Sequence, residues 1–143
     1  MSKAAACIFC EIVAGRAPAA CLYEDEHVSA FLDRRPVMKG HVLLVPRRHC
    51  AVLAELPGAE LAGYFAVAQK LCVAVERGLG AEGSFVGINN RVSQSVPHLH
   101  THVIPRRRGD GLRGFFWPRT VYASSEEAED FRARIAQALK GGS

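Results

Sequence analysis

The spacing of apolar and polar positions changes several times along the chain, and each change marks an element. From Val28 to Asp33 the residues are mostly apolar, and Arg35-Pro36 closes the run, because a residue before proline is driven out of the helical region. His41-Val-Leu-Leu-Val-Pro46, bounded by Gly40, predicts a second, well-buried strand, and the two are expected to pair as a hairpin. Beyond Pro57 the period lengthens. Leu61, Phe65, Ala68, Cys72, Val75 and Leu79 recur at steps of four, three, four, three and four, which is one face of a long helix ended by Gly78 and Gly80. Phe85 to Ile88 and His98 to Ile104 predict two more strands, separated by the mostly polar loop Asn89 to Pro97. Ser124 with Glu127 has the spacing of a capping box, and Phe131, Ile135 and Leu139 give the stripe of a short C-terminal helix. The pattern predicts an α+β fold: a mainly antiparallel sheet with one long helix and a short C-terminal helix.

Composition narrows the class without naming a chemistry. A length of 143 residues suits a single domain, 1–143, and neither linker nor repeat interrupts it. The longest apolar run, Ala4 to Cys10, is far below the ~20 residues of a membrane span and too short for a secretory signal, so a cytoplasmic protein is expected. Five cysteines, an odd number, argue against a disulfide framework and for burial or metal binding. A net charge of +4 fits nucleic acid, a small phosphorylated ligand or plain solubility, and does not choose among them.

The informative stretch is Pro97-His98-Leu99-His100-Thr101-His102-Val103-Ile104. Strand side chains alternate between faces, so the three imidazoles share one side and Leu99, Thr101 and Val103 the other. Two chemistries suit such a cluster. Three neutral histidines can hold a catalytic zinc with one open position. Alternatively, one imidazole acts as a nucleophile, its neighbours fixing the tautomer so that the attacking nitrogen keeps a bare lone pair. Cys7 and Cys10 have the two-residue gap that lets both thiolates reach one tetrahedral metal, but spacing alone leaves buried cysteines or a redox pair open.

His98-Leu-His-Thr-His-Val-Ile104 resembles the histidine triad (HIT) pattern, His-φ-His-φ-His-φ-φ with φ apolar, and Thr101 is its one departure. The resemblance extends to Cys7-Ile-Phe-Cys10, Phe31-Leu-Asp33, Gly40 to Pro46, Asn89 and Gln94-Ser95-Val-Pro-His98. It implies a HIT-like fold and a hydrolase that cleaves a nucleoside monophosphate (AMP or GMP) from an amine or a polyphosphate through a nucleotidyl-histidine intermediate. Carried over residue by residue, His100 is the nucleophile, His102 assists the phosphate and leaving group, and His98 positions His100. Gln94 and Ser95 meet the phosphate, Asp33 takes the ribose hydroxyls, and Asn89 meets phosphate or ribose. Phe9, Ile12, Phe31 and Arg34 border the base.

A transferase branch carries glutamine in place of the last histidine, so His102 makes this chain look like the hydrolases. Related sequences often have Gly where Ser93 stands. By the same resemblance, His49 and His98 complete a Cys7, Cys10, His49, His98 set for a structural zinc, with no organic cofactor. A purine nucleotide and a second copy of the chain are the expected partners, with no membrane and no nucleic acid. The competing class is a zinc-stapled nucleotide-binding or nucleic-acid-binding module without turnover.

Several residues draw plainer expectations. Cys21, Cys50 and Cys72 read as unpaired thiols and His27 as solvent-exposed. His41 either supports the triad or is purely structural. Arg106-Arg107-Arg108 is a solvated cluster or an attractor of anions. Phe115-Phe116-Trp117-Pro118 is core, a dimer edge or a pocket wall.

Overall fold

A computed structural model describes residues 7–113 and 117–141. It divides into two compact units, Met1–Asp110 and Gly111–Ser143. The first holds α1 (Ile8–Val13), β1 (Cys21–Glu24), β2 (Val28–Leu32), β3 (Val42–Pro46), α2 (Gly58–Leu79), β4 (Gly83–Ile88) and β5 (Thr101–Arg106). The second holds α3 (Ser125–Gly141). Phe115 and Phe116 lie outside the described residues, and Trp117 is exposed.

The strands form one antiparallel sheet in the order β1-β2-β3-β5-β4. The expected β2–β3 hairpin is present, Val28 facing Pro46 and Leu32 facing Val42. β3 is buried along its whole length because both faces are covered. Val42 and Leu44 pack with Val28, Ala30, Leu99 and Val103 under α2, while Leu43 and Val45 pack with Cys7, Phe9 and Phe31 on the α1 side. Gly40, in the hairpin connection, has φ +99, a backbone conformation that L side chains rarely adopt, so the turn favours glycine there.

α2 matches its expected span, and Gly80 closes it in the left-handed conformation. Its buried face differs from the one read from the sequence. Tyr64, Val67, Ala68, Leu71 and Val75 meet the sheet, whereas Leu61, Phe65 and Leu79 are 38%, 39% and 46% exposed. The helix carries two apolar stripes that share Ala68 and Val75, and the sheet takes the one containing Tyr64. That phenol finds its polar partners there: its hydroxyl lies 2.9 Å from the Leu44 carbonyl and 2.7 Å from Thr101 Oγ1.

Among the described residues, α1, β1 and a 3₁₀ turn, Leu53–Glu55, were not expected from the sequence. α1 is only six residues long and starts where Cys7 Sγ accepts the Cys10 N–H. β1 is a mostly exposed edge strand without apolar alternation, turned back by Asp25, whose Oδ1 accepts the N–H groups of His27 and Val28. The last strand begins at Thr101 rather than His98 and runs on to Arg106. α3 is longer than the short helix expected and, among its described residues, none is buried. Its Ser124 Oγ accepts the Glu127 N–H, while Glu127 reaches back to the Ala123 N–H, a capping box displaced by one residue.

Each arginine of the Arg106 to Arg108 run has partners within the fold, while Arg107 and Arg108 stay exposed to solvent as the sequence reading of a solvated cluster allows. Arg106 is bonded to Asp110, Arg108 to Glu82, and the Arg107 guanidinium donates to the carbonyls of Leu79 and Gly80 at the end of α2.

Candidate active site

The extended segment 98–100 and strand β5 keep one alternation, so Leu99, Thr101 and Val103 enter the core while the histidines turn to the α1 side. His100 and His102 lie ring to ring at 5.1 Å, and Phe9 packs edge-on against His100 at 5.0 Å and His98 at 5.8 Å. The α1 side therefore supplies an apolar wall to the imidazoles. Burial pushes His98 and His102 down to about 4 and lowers His100 and His41, so all four rings are neutral at pH 7.

Neutral rings have definite tautomers, and the contacts assign them. His100 Nδ1 is 2.8 Å from the His98 carbonyl, which can only accept, so Nδ1 carries the hydrogen and Nε2 keeps a bare lone pair. The Val37 N–H donates to His41 Nδ1 at 3.1 Å, which puts the His41 hydrogen on Nε2, from where it is donated to His102 Nδ1 at 2.9 Å. His102 must then carry its own hydrogen on Nε2. Among the described residues, that nitrogen is the buried side-chain polar atom without a partner. The site thus presents one nitrogen lone pair, on His100, and one unspent N–H donor, on His102.

A cleft of about 260 Å³ opens beside them. Of the expected residues, Phe9, Ile12, Phe31, Asp33, Arg34, Ser95, His100 and His102 line it, together with Ile8, Ala19, Leu32, Arg35, Leu43 and Val96, which the sequence did not single out. Asn89 and Gln94 are not among the lining residues. The Gln94 amide is spent at both ends: its oxygen accepts the Arg91 N–H and its nitrogen donates to the Ala51 carbonyl, so it braces the loop. Its neighbour Asn90 does the same through the Leu53 N–H. Ser93 has φ +63, the left-handed conformation that a glycine would adopt freely. His41 is fully buried and holds His102, which decides between the two readings the sequence left open for it in favour of support for the triad.

His98 faces away from the cleft into a second cluster. Its Nε2–H donates to the Pro46 carbonyl at 2.8 Å, leaving Nδ1 bare at 3.3 Å from Cys7 Sγ and 3.5 Å from Cys10 Sγ. His49 Nδ1 lies 3.3 Å from Cys10 Sγ, and the ligand atoms of Cys7, Cys10, His49 and His98 all fall within 4.8 Å of one another. Zinc bonds of ordinary length make a tetrahedron with edges of roughly 3.5 Å, so this donor set fits that metal. Burial and the adjacent Cys7 push the Cys10 thiol up to about 11, so two thiolates side by side here call for a cation. Asp33, His41 and His102 also converge, but the direct His41–His102 hydrogen bond already uses their facing nitrogens. Cys21 is exposed, Cys50 buried and Cys72 half-buried, and all are free thiols.

The HIT domain family model matches residues 14–109. An uncharacterized HIT-like protein of Methanocaldococcus jannaschii is 48% identical over 107 residues, 73% of this chain and 82% of its own. An adenosine 5'-monophosphoramidase of Schizosaccharomyces pombe is 35% identical over 136 residues, 94% of this chain and 98% of its own. A crystal structure of a Zn-bound histidine triad family protein from Mycobacterium smegmatis aligns with TM-score 0.72 and 38% identity, covering 96% of this chain and 99% of that one.

Proposed function

The chain belongs to the HIT domain family, and from that premise we propose that it is a hydrolase releasing a purine nucleoside monophosphate through a nucleotidyl-His100 intermediate. The observation that carries the reading is the tautomer of His100: with Nδ1–H tied to the His98 carbonyl, the bare Nε2 is the nucleophile. Attack forms an N–P bond and breaks the bond from phosphorus to the leaving group, which departs with a proton drawn from solvent. One water then gives its hydroxyl to phosphorus and its second proton back to solvent, breaking the N–P bond, freeing His100 and balancing the cycle. His102 Nε2–H, unpaired and buried, donates to the phosphoryl or leaving oxygen or nitrogen as charge builds there.

The apolar walls of Phe9, Ile12 and Phe31 accept the base, with Arg34 at their border. Asp33 accepts from the ribose hydroxyls, and Ser95 donates to the phosphate. Gln94 acts at one remove, by holding the loop that carries Ser95. Cys7, Cys10, His49 and His98 hold a structural zinc, which supplies a closed four-ligand staple between the α1 segment and the triad segment. An amine leaving group is favoured by the full-length similarity to the fission-yeast phosphoramidase.

The test is AMP release from an adenosine phosphoramidate and from diadenosine polyphosphates, with wild type and His100→Ala. Release from the phosphoramidate that the variant abolishes is expected. Absence of release from every substrate, or equal release by the variant, rejects the mechanism and leaves a binding module.

The reading includes a homodimer. Leu61, Phe65 and Leu79 form an exposed stripe on α2, and β4 ends the sheet with Val86 exposed on it. Sedimentation as a monomer at micromolar concentration would overturn that part. Among the described residues, no helix is long and apolar enough to cross a membrane.

A further inference from the structure

On the core side of the triad segment lies a polar contact that the chemistry above does not use. Thr101 stands between His100 and His102, where the histidine pattern has an apolar residue, and its side chain is fully buried beneath α2. Tyr64, equally buried, donates its hydroxyl hydrogen to the Leu44 carbonyl at 2.9 Å and, that hydrogen spent, accepts from Thr101 Oγ1 at 2.7 Å. Leu44 and Thr101 are also cross-strand partners. One phenol oxygen therefore fastens β3 and β5 to each other and to α2 at a single register position.

We propose that the Tyr64–Thr101 pair is a positioning device for the two working imidazoles, setting the register and depth at which the 100–102 backbone aims them into the cleft. The inference rests on the nucleotidyl-transfer reading above. Segment 98–100 precedes the ladder, and Leu99 N–H is held there by the Cys50 carbonyl. Thr101 is where the β3–β5 ladder begins, so its placement passes directly to His100 on one side and His102 on the other. Such placement matters because a misplacement of about 1 Å in reacting groups can cost on the order of 10²-fold in rate. A bare apolar core at this point would satisfy packing alone, whereas a hydroxyl pair fixes direction as well.

Two substitutions separate positioning from mere stability. Thr101→Val keeps the shape and loses the hydroxyl; Thr101→Ser keeps the hydroxyl and loses a buried methyl. If the pair only stabilises the fold, turnover follows melting temperature in both. Positioning requires an inversion, in which the Ser variant melts about 3 to 6 °C lower yet keeps kcat within about twofold. The Val variant loses about 5- to 20-fold in kcat, with KM within about twofold. Tyr64→Phe should match the Val variant, and combining the two should add nothing further, as for residues acting as one unit. Wild-type turnover by the Val variant, or equal losses in Val and Ser, overturns the proposal.

Imidazole nitrogen shifts of His100 and His102, measured by NMR on the full chain, read the same geometry without substrate. They should move in the Val variant and hold in the Ser variant. Absence of AMP release by wild type would reject the enzymatic reading itself, and shifts unmoved by Thr101→Val would reject the positioning.

Discussion

Replacing His41 by Phe removes a ring that never enters the cleft and should nevertheless disable it. The buried His41 imidazole makes two bonds: Nε2–H to His102 Nδ1 at 2.9 Å, and acceptance of the Val37 N–H at 3.1 Å. Phe fills the volume and satisfies neither, leaving a buried acceptor and a backbone donor at about 1 to 3 kcal/mol each, of which local relaxation recovers part. A loss of about 2 to 4 kcal/mol in stability follows, within reach of a domain of this size. The effect on chemistry is separate. His102 no longer has a donor at Nδ1, so nothing holds its hydrogen on Nε2, and the site loses its unspent N–H donor. Losing a correctly placed hydrogen-bond donor to developing charge costs about 10² to 10³ in kcat.

His41→Gln returns an amide N–H near the position of Nε2 and should recover at least tenfold of a loss on the order of 10² or more. The assay is AMP release from an adenosine phosphoramidate under saturation, at a temperature where urea curves show each variant folded. A folded His41→Phe protein with kcat within about threefold of wild type would refute the argument, since that tautomer control is expected to be worth far more.

Three further outcomes are expected. Purified protein should carry close to one zinc per chain, and Cys10→Ser should lose the metal together with several degrees of melting temperature; metal analysis well below one zinc after metal-replete expression defeats the cluster assignment. Ser93→Gly should stabilise the chain by about 1 kcal/mol in urea titration, because a serine at φ +63 bears a strain that glycine escapes; no change would mean the loop already relaxes it. His102, held at about 4 against an ordinary 6.5, and His41, lowered in the same direction, are neutral in the fold and protonate more readily when unfolded. Stability should therefore be complete above pH 6.5 and decline as pH falls from there to about 4, and a urea midpoint that stays flat across that window contradicts the burial of both rings.

What the sequence made legible follows from which properties are local. The common face of His98, His100 and His102 was readable although only Thr101 onward is paired, because alternation belongs to extended backbone and not to the ladder. The span of α2 was readable from its period, but not its buried face. Leu61 and Phe65 are as apolar as Leu71 and Val75, and the choice fell to Tyr64, whose hydroxyl is satisfied only by groups on β3 and β5. β1 gave no signal because an exposed edge strand has no apolar side to display. α1 gave none because six residues are held by contacts of Cys7 and Phe9 with the sheet and not by their own propensity. Gln94 sits in a motif whose sequence suggests phosphate contact, and its bracing role depends on where Ala51 lies, forty-three positions away.

His98 serves two masters through two different parts of itself: its ring meets the cysteines, and its main-chain oxygen holds the His100 hydrogen. A point substitution can delete a side chain but never a carbonyl. The proposed metal staple and the His100 tautomer are thus separable under mutation, although they share a residue. A lineage can give up Cys7, Cys10 or His49, replacing the staple by ordinary packing, without passing through an ancestor whose His100 shows the wrong nitrogen. The reverse does not hold, since no repair of the staple restores a lost ring at position 100. Drift is therefore expected to erode the cysteines of such chains sooner than the histidine at position 100.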